Sequence, residues 1–179
     1  MAKKTNALSA ADKAALPYRP CVGIIVVNRS GLVWAGRRLP NEEYTDQTLL
    51  WQFPQGGIDE GEDAGKAALR ELYEETSITS VSPLVEIDGW LTYDLPEPLI
   101  GTALKGKYRG QKQRWFVLRF EGEDSEINVL HPPEGEEPEF DHWEWMHLED
   151  VPALTVPFKV ELYQTLIERL RGHAALAWK

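Results

Sequence analysis

Three glutamates of this 179-residue chain are spaced so that their carboxylates can act together. Glu71, Glu74 and Glu75 stand at positions i, i+3 and i+4, and on a helix that spacing places them on one face. Ala67 and Ala68 continue the same face, which suggests that other parts of the protein cover it. Partly buried carboxylates are costly unless they are paired or bound to a metal, and hard cations such as Mg²⁺ prefer oxygen ligands. The cluster therefore predicts a metal site.

A glycine-rich segment precedes the acidic helix and is expected to lie beside its carboxylates. Between Trp51 and Glu62 the chain contains Pro54, Gly56 and Gly57, residue types that mark a loop whose backbone can approach a ligand closely. Such a loop, leading into the start of an acidic helix, brings backbone carbonyls and amides next to the glutamates. The loop and the helix together form one candidate site.

The spacing of these residues resembles the Nudix box, the signature of a family of hydrolases. An isolated glutamate pair would more often be a solvated helix face, but here glycines and carboxylates recur in the order of the box. Ser77 is the one departure, because it stands where the box has a glycine. A glycine at a helix C-terminus usually serves a left-handed backbone angle, so serine there is expected to cost about 1 kcal/mol or less. It removes no metal ligand. The matching positions are Gly56, Glu62, Arg70, Glu71, Leu72, Glu74, Glu75 and Ile78.

Composition is that of a small globular enzyme. The length and the 42 % hydrophobic content favour a single domain, which we expect over residues 17–179 after a flexible leader over 1–16. Cys21 is the one cysteine, so it cannot form an internal disulfide, and a reduced buried thiol indicates a cytoplasmic protein. The formal net charge of −10 argues against broad nucleic-acid binding. We expect a monomer that binds neither DNA nor a membrane.

The charges are distributed unevenly along the chain. Residues 121–150 contain acids but neither Lys nor Arg, whereas residues 99–120 contain bases and no acid. The asymmetry favours a local anion-receiving surface on an acidic body, and a loop of solvated lysines is the alternative. We call the six basic residues of 99–120 the basic strip: Lys105, Lys107, Arg109, Lys112, Arg114 and Arg119.

Hydrophobic patterns and turn residues predict the elements that position these groups. The acidic helix is expected at 64–77, and apolar residues at helical spacing predict a second helix at 158–170, started by Pro157. The connection at 96–109 is rich in Gly and Pro and predicts a mobile substrate loop. These elements predict an α/β (α+β) fold with a mixed β-sheet between helices. Strands are expected at 21–27, 32–37, 51–53, 85–95, 114–120 and 140–148, with a hairpin turn at 28–31.

Further motifs resemble a particular Nudix subfamily, the bacterial RNA pyrophosphohydrolases and related dinucleoside polyphosphate hydrolases. The segments that carry this resemblance are 18–20, 51–57, 110–116, 126–128, 138–141 and 158–159. The resemblance implies the Nudix fold, in an α-β-α arrangement. The loops 39–50 and 96–109 depart from the pattern of compact members, and they bear on the choice of substrate rather than on the chemistry.

The same resemblance implies a metal cage and residue roles. Glu71 and Glu75 would ligate two or three Mg²⁺ ions, with Mn²⁺ as a substitute, and Gly56 would add a backbone carbonyl. Glu74 would ligate metal or help to activate water, and Glu139 would ligate metal or act as the base. Arg70 is also expected to be a catalytic residue. It would orient carboxylates by pairing with Glu74 or with Glu62.

Substrate contacts are implied for basic and aromatic residues outside the box. Arg38 could also stack on a base. Phe158 and Tyr93 are candidates for stacking on a nucleobase, with core packing as the alternative. The residues expected to bind phosphates are Arg19, Arg37, Arg38, Lys112 and Lys159.

Three functions remain open on the sequence alone. The first is Mg²⁺-dependent removal of pyrophosphate from the 5′ end of triphosphorylated (or diphosphorylated) RNA, which would initiate mRNA decay. The alternative is asymmetric hydrolysis of diadenosine tetra- or pentaphosphate with release of ATP. A non-catalytic nucleotide-sensing module is the third, but such modules typically lose box carboxylates, and none is missing here.

Overall fold

The structure is a computed structural model that describes residues 8–40, 47–173 and 176. The first seven residues of the expected leader and residues 41–46 of the loop 39–50 lie outside the described residues. No helix in the described part of the chain is long and apolar enough to cross a membrane. In chain order the elements are α1 Ala10–Ala15, β1 Tyr18–Val27, β2 Val33–Arg38, β3 Trp51–Gln52, β4 Gln55–Gly57, α2 Ala64–Thr76, β5 Val81–Asp94, β6 Gly110–Phe120, β7 Phe140–Met146 and α3 Val160–Leu170.

The seven strands form one mixed sheet. Its order is β3-β2-β1-β6-β5, with β4 paired to β1 and β7 paired to β2. β1 and β6 run parallel from Tyr18 opposite Gly110 to Val27 opposite Arg119, and the other pairs are antiparallel. The predicted mixed sheet is confirmed.

Alternating residues of β1 divide the core between the two faces of the sheet. Ile25 and Val27 pack with Leu166 of α3 on one face. Val22 and Ile24 pack with residues of α2 on the other. The sheet therefore lies between α2 and α3, which confirms the predicted α-β-α arrangement.

Several element boundaries differ from the sequence prediction, and polar or glycine residues explain the differences. β4 was missed because a three-residue strand with two glycines has no hydrophobic alternation. β1 and β6 start earlier than predicted because their polar first residues, including Arg19 and Gln111, still pair in the parallel ladder. The predicted helix at 158–170 begins with a 3₁₀ turn, and α3 starts at Val160.

Part of the leader contacts the connection between β5 and β6. Ser9 caps α1 in a capping box with Asp12. Lys13 Nζ donates to the carbonyl of Glu97 at 3.2 Å, and Arg109 Nη1 donates to the carbonyl of Ala14 at 3.1 Å. The short helix is thus joined by hydrogen bonds to both ends of the 96–109 connection.

Cys21 is fully buried and free, as the sequence predicts. Burial raises the pKa of its thiol to about 11, so the thiolate is disfavoured near neutral pH. Cys21 is therefore a packing residue in this fold.

Ser77 ends α2 in the left-handed conformation that the box glycine would serve, with φ 64° and ψ 6°. We expect Ser77→Gly to raise the free energy of unfolding by about 0.5–1 kcal/mol, because glycine adopts this angle without a Cβ clash. Urea denaturation measures the change. Ser30→Gly is the control: Ser30 lies in an exposed turn outside the positive-φ region, so that glycine should be neutral or destabilising. Equal effects of both substitutions would contradict the explanation.

Candidate functional site

A polar cavity of about 420 Å³ opens where β1, β2, β4 and β6 meet the start of α3. Carboxylates, cations and amides line its wall, and apolar residues from the end of β5 and the connection after it contribute to the lining. The lining residues are Arg19, Arg38, Gln52, Gln55, Gly56, Gly57, Glu71, Glu75, Tyr93, Leu95, Leu99, Ala103, Leu104, Gln111, Glu139, Phe158 and Lys159.

Gly56 allows the carboxylate of Glu71 to lie directly against the backbone of β4. A Cβ at Gly56 would stand 1.9 Å from the carboxyl carbon of Glu71, so no other residue fits without displacing that carboxylate. A Cβ at Gly57 would likewise stand 2.4 Å from a guanidinium nitrogen of Arg19. The two glycines are needed because two functional side chains approach the backbone closely.

Glu71 and Glu75 are desolvated and face other carboxylates. Burial raises the pKa of Glu71 to about 7, although Arg70 opposes the shift. Burial, together with the charges of Glu139 and Glu71, raises the pKa of Glu75 well above its usual value. The backbone N–H of Gln55 donates to Glu75 Oε2 at 3.2 Å. This wall gathers negative charge at an energetic cost that a bound cation would relieve.

Arg70 links the box residues to one another. Its Nε donates to Glu62 Oε1 at 2.8 Å, and its Nη1 donates to Glu71 at 3.0 Å and to Glu74 at 3.1 Å. Its Nη2 also donates to the carbonyl of Gly57 at 2.9 Å. Both partners that the sequence offered as alternatives, Glu62 and Glu74, are therefore contacted. The Arg70 hydrogen bonds, with the backbone amide of Asp59, lower the pKa of Glu62 to about 2.

The carboxylates fit a divalent cation only in part as they stand. Among the described residues, no three acidic, histidine or cysteine side chains converge closely enough to hold an ion. Glu74 is described but lies outside the cavity wall, with its carboxylate on Arg70. Glu71, Glu75 and Glu139 do line one cavity, and their oxygens are the donor set that hard cations prefer. These three are the carboxylates of the cavity wall that could hold a metal.

The raised pKa values predict how stability depends on pH without metal. Between pH 5 and 6.5 the folded protein binds more protons than the unfolded chain at Glu71 and Glu75, so stability falls as pH rises. We expect the free energy of unfolding to drop by about 1–2 kcal/mol over this window. Denaturation in EDTA at several pH values measures the drop.

Lys159 limits the pH window from above, and a Glu71 variant provides the control. Burial and Arg38 lower the pKa of Lys159 to about 7, so this lysine acts in the opposite direction above that pH. Glu71→Gln removes one of the two titrating carboxylates and should flatten the slope. A stability that rises from pH 5 to 6.5 in EDTA would contradict the assigned burial of the carboxylates.

Cations and aromatic rings line the same cavity as the carboxylates. Lys159 is 2 % exposed, and its Nζ donates to Gln52 Oε1 at 3.0 Å and lies 5.6 Å from the ring centre of Tyr93. The rings of Tyr93 and Phe158 pack at a centroid distance of 5.6 Å with a 36° tilt. The aromatic pair thus packs together and also lines the cavity. Arg19 and Arg38 complete the cationic part.

Arg37 and Lys112 are described residues that lie outside the cavity wall, contrary to expectation. Strand alternation explains both cases, because Arg38 and Gln111 take the positions that face the cavity. Arg37 Nε donates to Asp141 Oδ1 at 2.7 Å, and Lys112 Nζ lies 4.9 Å from the ring centre of Trp90.

The basic strip does not form one anion-receiving surface at this cavity. None of its six basic residues, all within the described part of the chain, lines the wall. Arg109 pairs with Asp94, and Arg114 pairs with Glu86. The charge asymmetry in the sequence was therefore a poor guide to the site.

Sequence reasoning missed the neutral part of the wall. Gln52, Gln55 and Gln111 carry no charge and match no metal-ligand spacing, so residue type alone did not mark them as site residues. All three lie in segments that carry the subfamily resemblance, 51–57 and 110–116, and Gln55 also directly precedes Gly56. The apolar rim, which includes Leu99 and Leu104, comes from the connection that the sequence identified only as a loop.

Comparisons with known proteins show what this chain is similar to. A family model described as the NUDIX domain matches residues 17–166. An RNA pyrophosphohydrolase of Brucella ovis is 58 % identical over 166 residues, which cover 92 % of this chain and 93 % of the relative. An RNA pyrophosphohydrolase of Rhizobium meliloti is 60 % identical over 154 residues, which cover 85 % and 92 %.

Solved structures share the fold at low sequence identity. The E. coli dihydroneopterin triphosphate pyrophosphohydrolase superposes with a TM-score of 0.61 at 18 % identity, covering 85 % of this chain and 98 % of that one. A C. elegans Ap4A hydrolase binary complex superposes with a TM-score of 0.56 at 20 % identity, covering 86 % and 98 %. At these identities the likeness concerns the fold alone.

Proposed function

Because this chain belongs to the Nudix family of hydrolases, we propose that it removes pyrophosphate from the 5′ end of triphosphorylated RNA. The supporting observation is a single cavity in which Glu71, Glu75 and Glu139 face Arg38 and Lys159. Such a cavity suits a polyphosphate that reaches the carboxylates through bound cations and the cationic wall directly. The near full-length relatives named RNA pyrophosphohydrolase support RNA as the substrate. On this proposal the enzyme would initiate mRNA decay.

We infer a cation site on the carboxylate wall. Glu71, Glu75 and Glu139, with the backbone carbonyl of Gly56, would hold about two or three Mg²⁺ ions, with Mn²⁺ as a substitute. Bound Mg²⁺ would neutralise phosphate charge and lower the pKa of water. Glu74, placed on Arg70 outside the wall, remains a candidate ligand or water-activating group.

The chain's own residues would perform the remaining steps. Arg70 orients Glu71 through its 3.0 Å hydrogen bond and anchors the glycine loop through the carbonyl of Gly57. Arg19, Arg38 and Lys159 would hold phosphate oxygens. Glu139 is the cavity carboxylate outside the box, and besides ligation it could accept the proton of the attacking water.

The experiment compares two substrates under identical Mg²⁺. We expect the release of pyrophosphate from 5′-triphosphorylated RNA with a kcat/KM above that for diadenosine tetraphosphate, and EDTA should stop both reactions. The reverse preference would make the protein a dinucleoside polyphosphate hydrolase. No turnover of either substrate would favour a nucleotide-sensing module.

Organisation and location are part of the proposal. We expect a cytoplasmic monomer whose catalytic domain spans 17–179. The reduced, buried Cys21 supports a reducing compartment. Size-exclusion chromatography with light scattering tests the monomer, and a dimer mass would reject it.

A further inference from the structure

A chain of buried amides connects the core to the cavity. Trp115, Gln113 and Gln111 lie on the same face of β6, and each is at most 5 % exposed. Trp115 Nε1 donates to Gln113 Oε1 at 3.1 Å. Gln113 Nε2 donates to Gln111 Oε1 at 2.9 Å and to Gln55 Oε1 at 3.1 Å. Gln55 and Gln111 line the cavity, whereas Gln113 stands behind them.

The indole N–H of Trp115 fixes the direction of the three hydrogen bonds that Gln113 makes with Trp115, Gln111 and Gln55. An indole N–H can only donate, so the atom of Gln113 that faces Trp115 must be its carbonyl oxygen. The NH₂ group of Gln113 then points the other way and supplies both of its hydrogens, one to each cavity glutamine. The side-chain carbonyl oxygens of Gln55 and Gln111 therefore accept hydrogen bonds from Gln113. Each of them keeps its own NH₂ group for other partners.

One effect of Gln55 agrees with this orientation. Burial raises the pKa of the Tyr93 hydroxyl, another group of the cavity, and the side-chain amide of Gln55 opposes that rise, as a donor facing the phenol oxygen would. Gln111 lies beside Arg19, since the two are partners in the β1–β6 ladder. The two amide groups thus extend a donor surface that already holds the guanidinium group of Arg19.

We infer that Trp115 and Gln113 set the hydrogen-bond polarity of the cavity, so that Gln55 and Gln111 act as N–H donors to phosphate oxygens of the substrate. Gln113 is a positioning residue, and the two cavity glutamines are the specificity-determining ones. Neutral donors bind the phosphate chain without adding positive charge beside Lys159. The choice of phosphate oxygens rests on the proposed function, but the polarity of the amides does not.

A variant cycle tests the positioning role. Gln113→Met keeps a similar shape but removes the two hydrogen bonds that orient Gln55 and Gln111. We expect KM for triphosphorylated RNA to rise about threefold to tenfold with kcat within about twofold. In a Gln55→Met/Gln111→Met background, the same change should add nothing to KM, because Gln113 acts only through those residues. A lower melting temperature with unchanged KM would make Gln113 merely structural and overturn the inference.

A charge test at Gln111 works even if the Gln113 variant fails to fold. Gln111→Glu places an acceptor where the inference requires a donor, so it should raise KM more than Gln111→Met does. If the cavity instead needs an acceptor there, Gln111→Glu would bind as well as wild type, and the assigned polarity would be wrong.

A binding measurement separates this inference from the proposed function. Calorimetry with inorganic tripolyphosphate and Mg²⁺ should show weaker binding to Gln113→Met and to Gln111→Glu. Guanosine serves as the comparison ligand without phosphate. If the wild type does not process triphosphorylated RNA, but the variants bind tripolyphosphate more weakly than the wild type does, the RNA assignment alone is rejected. Variants that lose guanosine affinity and keep tripolyphosphate affinity would reject phosphate as the partner of the amides.

Discussion

Glu71→Gln and Glu75→Gln are each expected to lower kcat by far more than tenfold while the protein remains folded. Glutamine keeps the shape that lets residue 71 lie against Gly56, so the packing survives. What disappears is a negative charge on the wall where the cations are proposed to bind. Because both carboxylates are desolvated, removing either charge should leave the melting temperature unchanged or higher at pH 8.

The measurement is steady-state kinetics on triphosphorylated RNA, with circular dichroism to confirm folding. Glu168→Gln, an exposed position on α3, is the control for a lost carboxylate and should retain full activity. If Glu71→Gln or Glu75→Gln keeps more than about a tenth of kcat, a loss below roughly 1.4 kcal/mol, the proposed metal cage is misassigned.

The helices α2 and α3 and the long strands were predictable because their patterns are local. The α2 helix follows from acidic and alanine spacing alone, and its C-terminus at Ser77 has the left-handed angle that the Nudix box implies. β4 was not predictable, since Gln55–Gly57 becomes a strand only by pairing with Cys21–Gly23 of β1. Its existence depends on a distant part of the chain rather than on its own residues.

The residues of the site likewise divide into those that the sequence could predict and those that it could not. Residues with a chemical signature and fixed spacing, such as Glu71 and Glu75, could be identified from the sequence and do line one cavity. Basic residues could not be sorted, because charge says nothing about which face of a strand a side chain takes. Arg37 and Arg38 are neighbours in the chain, yet only Arg38 reaches the cavity. The glutamine chain behind Gln55 depends on three-dimensional hydrogen bonding, which leaves no trace in composition.

Arg38→Ala is expected to raise KM several-fold with little change in kcat. Arg38 lines the same cavity as the carboxylates, so its charge should attract the phosphate chain equally in the ground state and in the transition state. The rise should be steeper at low salt, where electrostatic attraction is least screened. Since Arg38 could also stack on a base, the loss should be larger for RNA than for a nucleoside triphosphate.

Lys112→Ala is the matched control, because it removes the same charge from a strand residue that lies over Trp90 and outside the cavity. We expect its KM to stay within about twofold of wild type at both salt concentrations, since the long-range effect of one half-buried charge outside the cavity is small. Equal increases in KM for Arg38→Ala and Lys112→Ala would show that net charge, rather than position in the cavity, governs affinity. Equal losses on RNA and nucleoside triphosphate would remove Arg38 from any base contact and leave it a phosphate ligand alone.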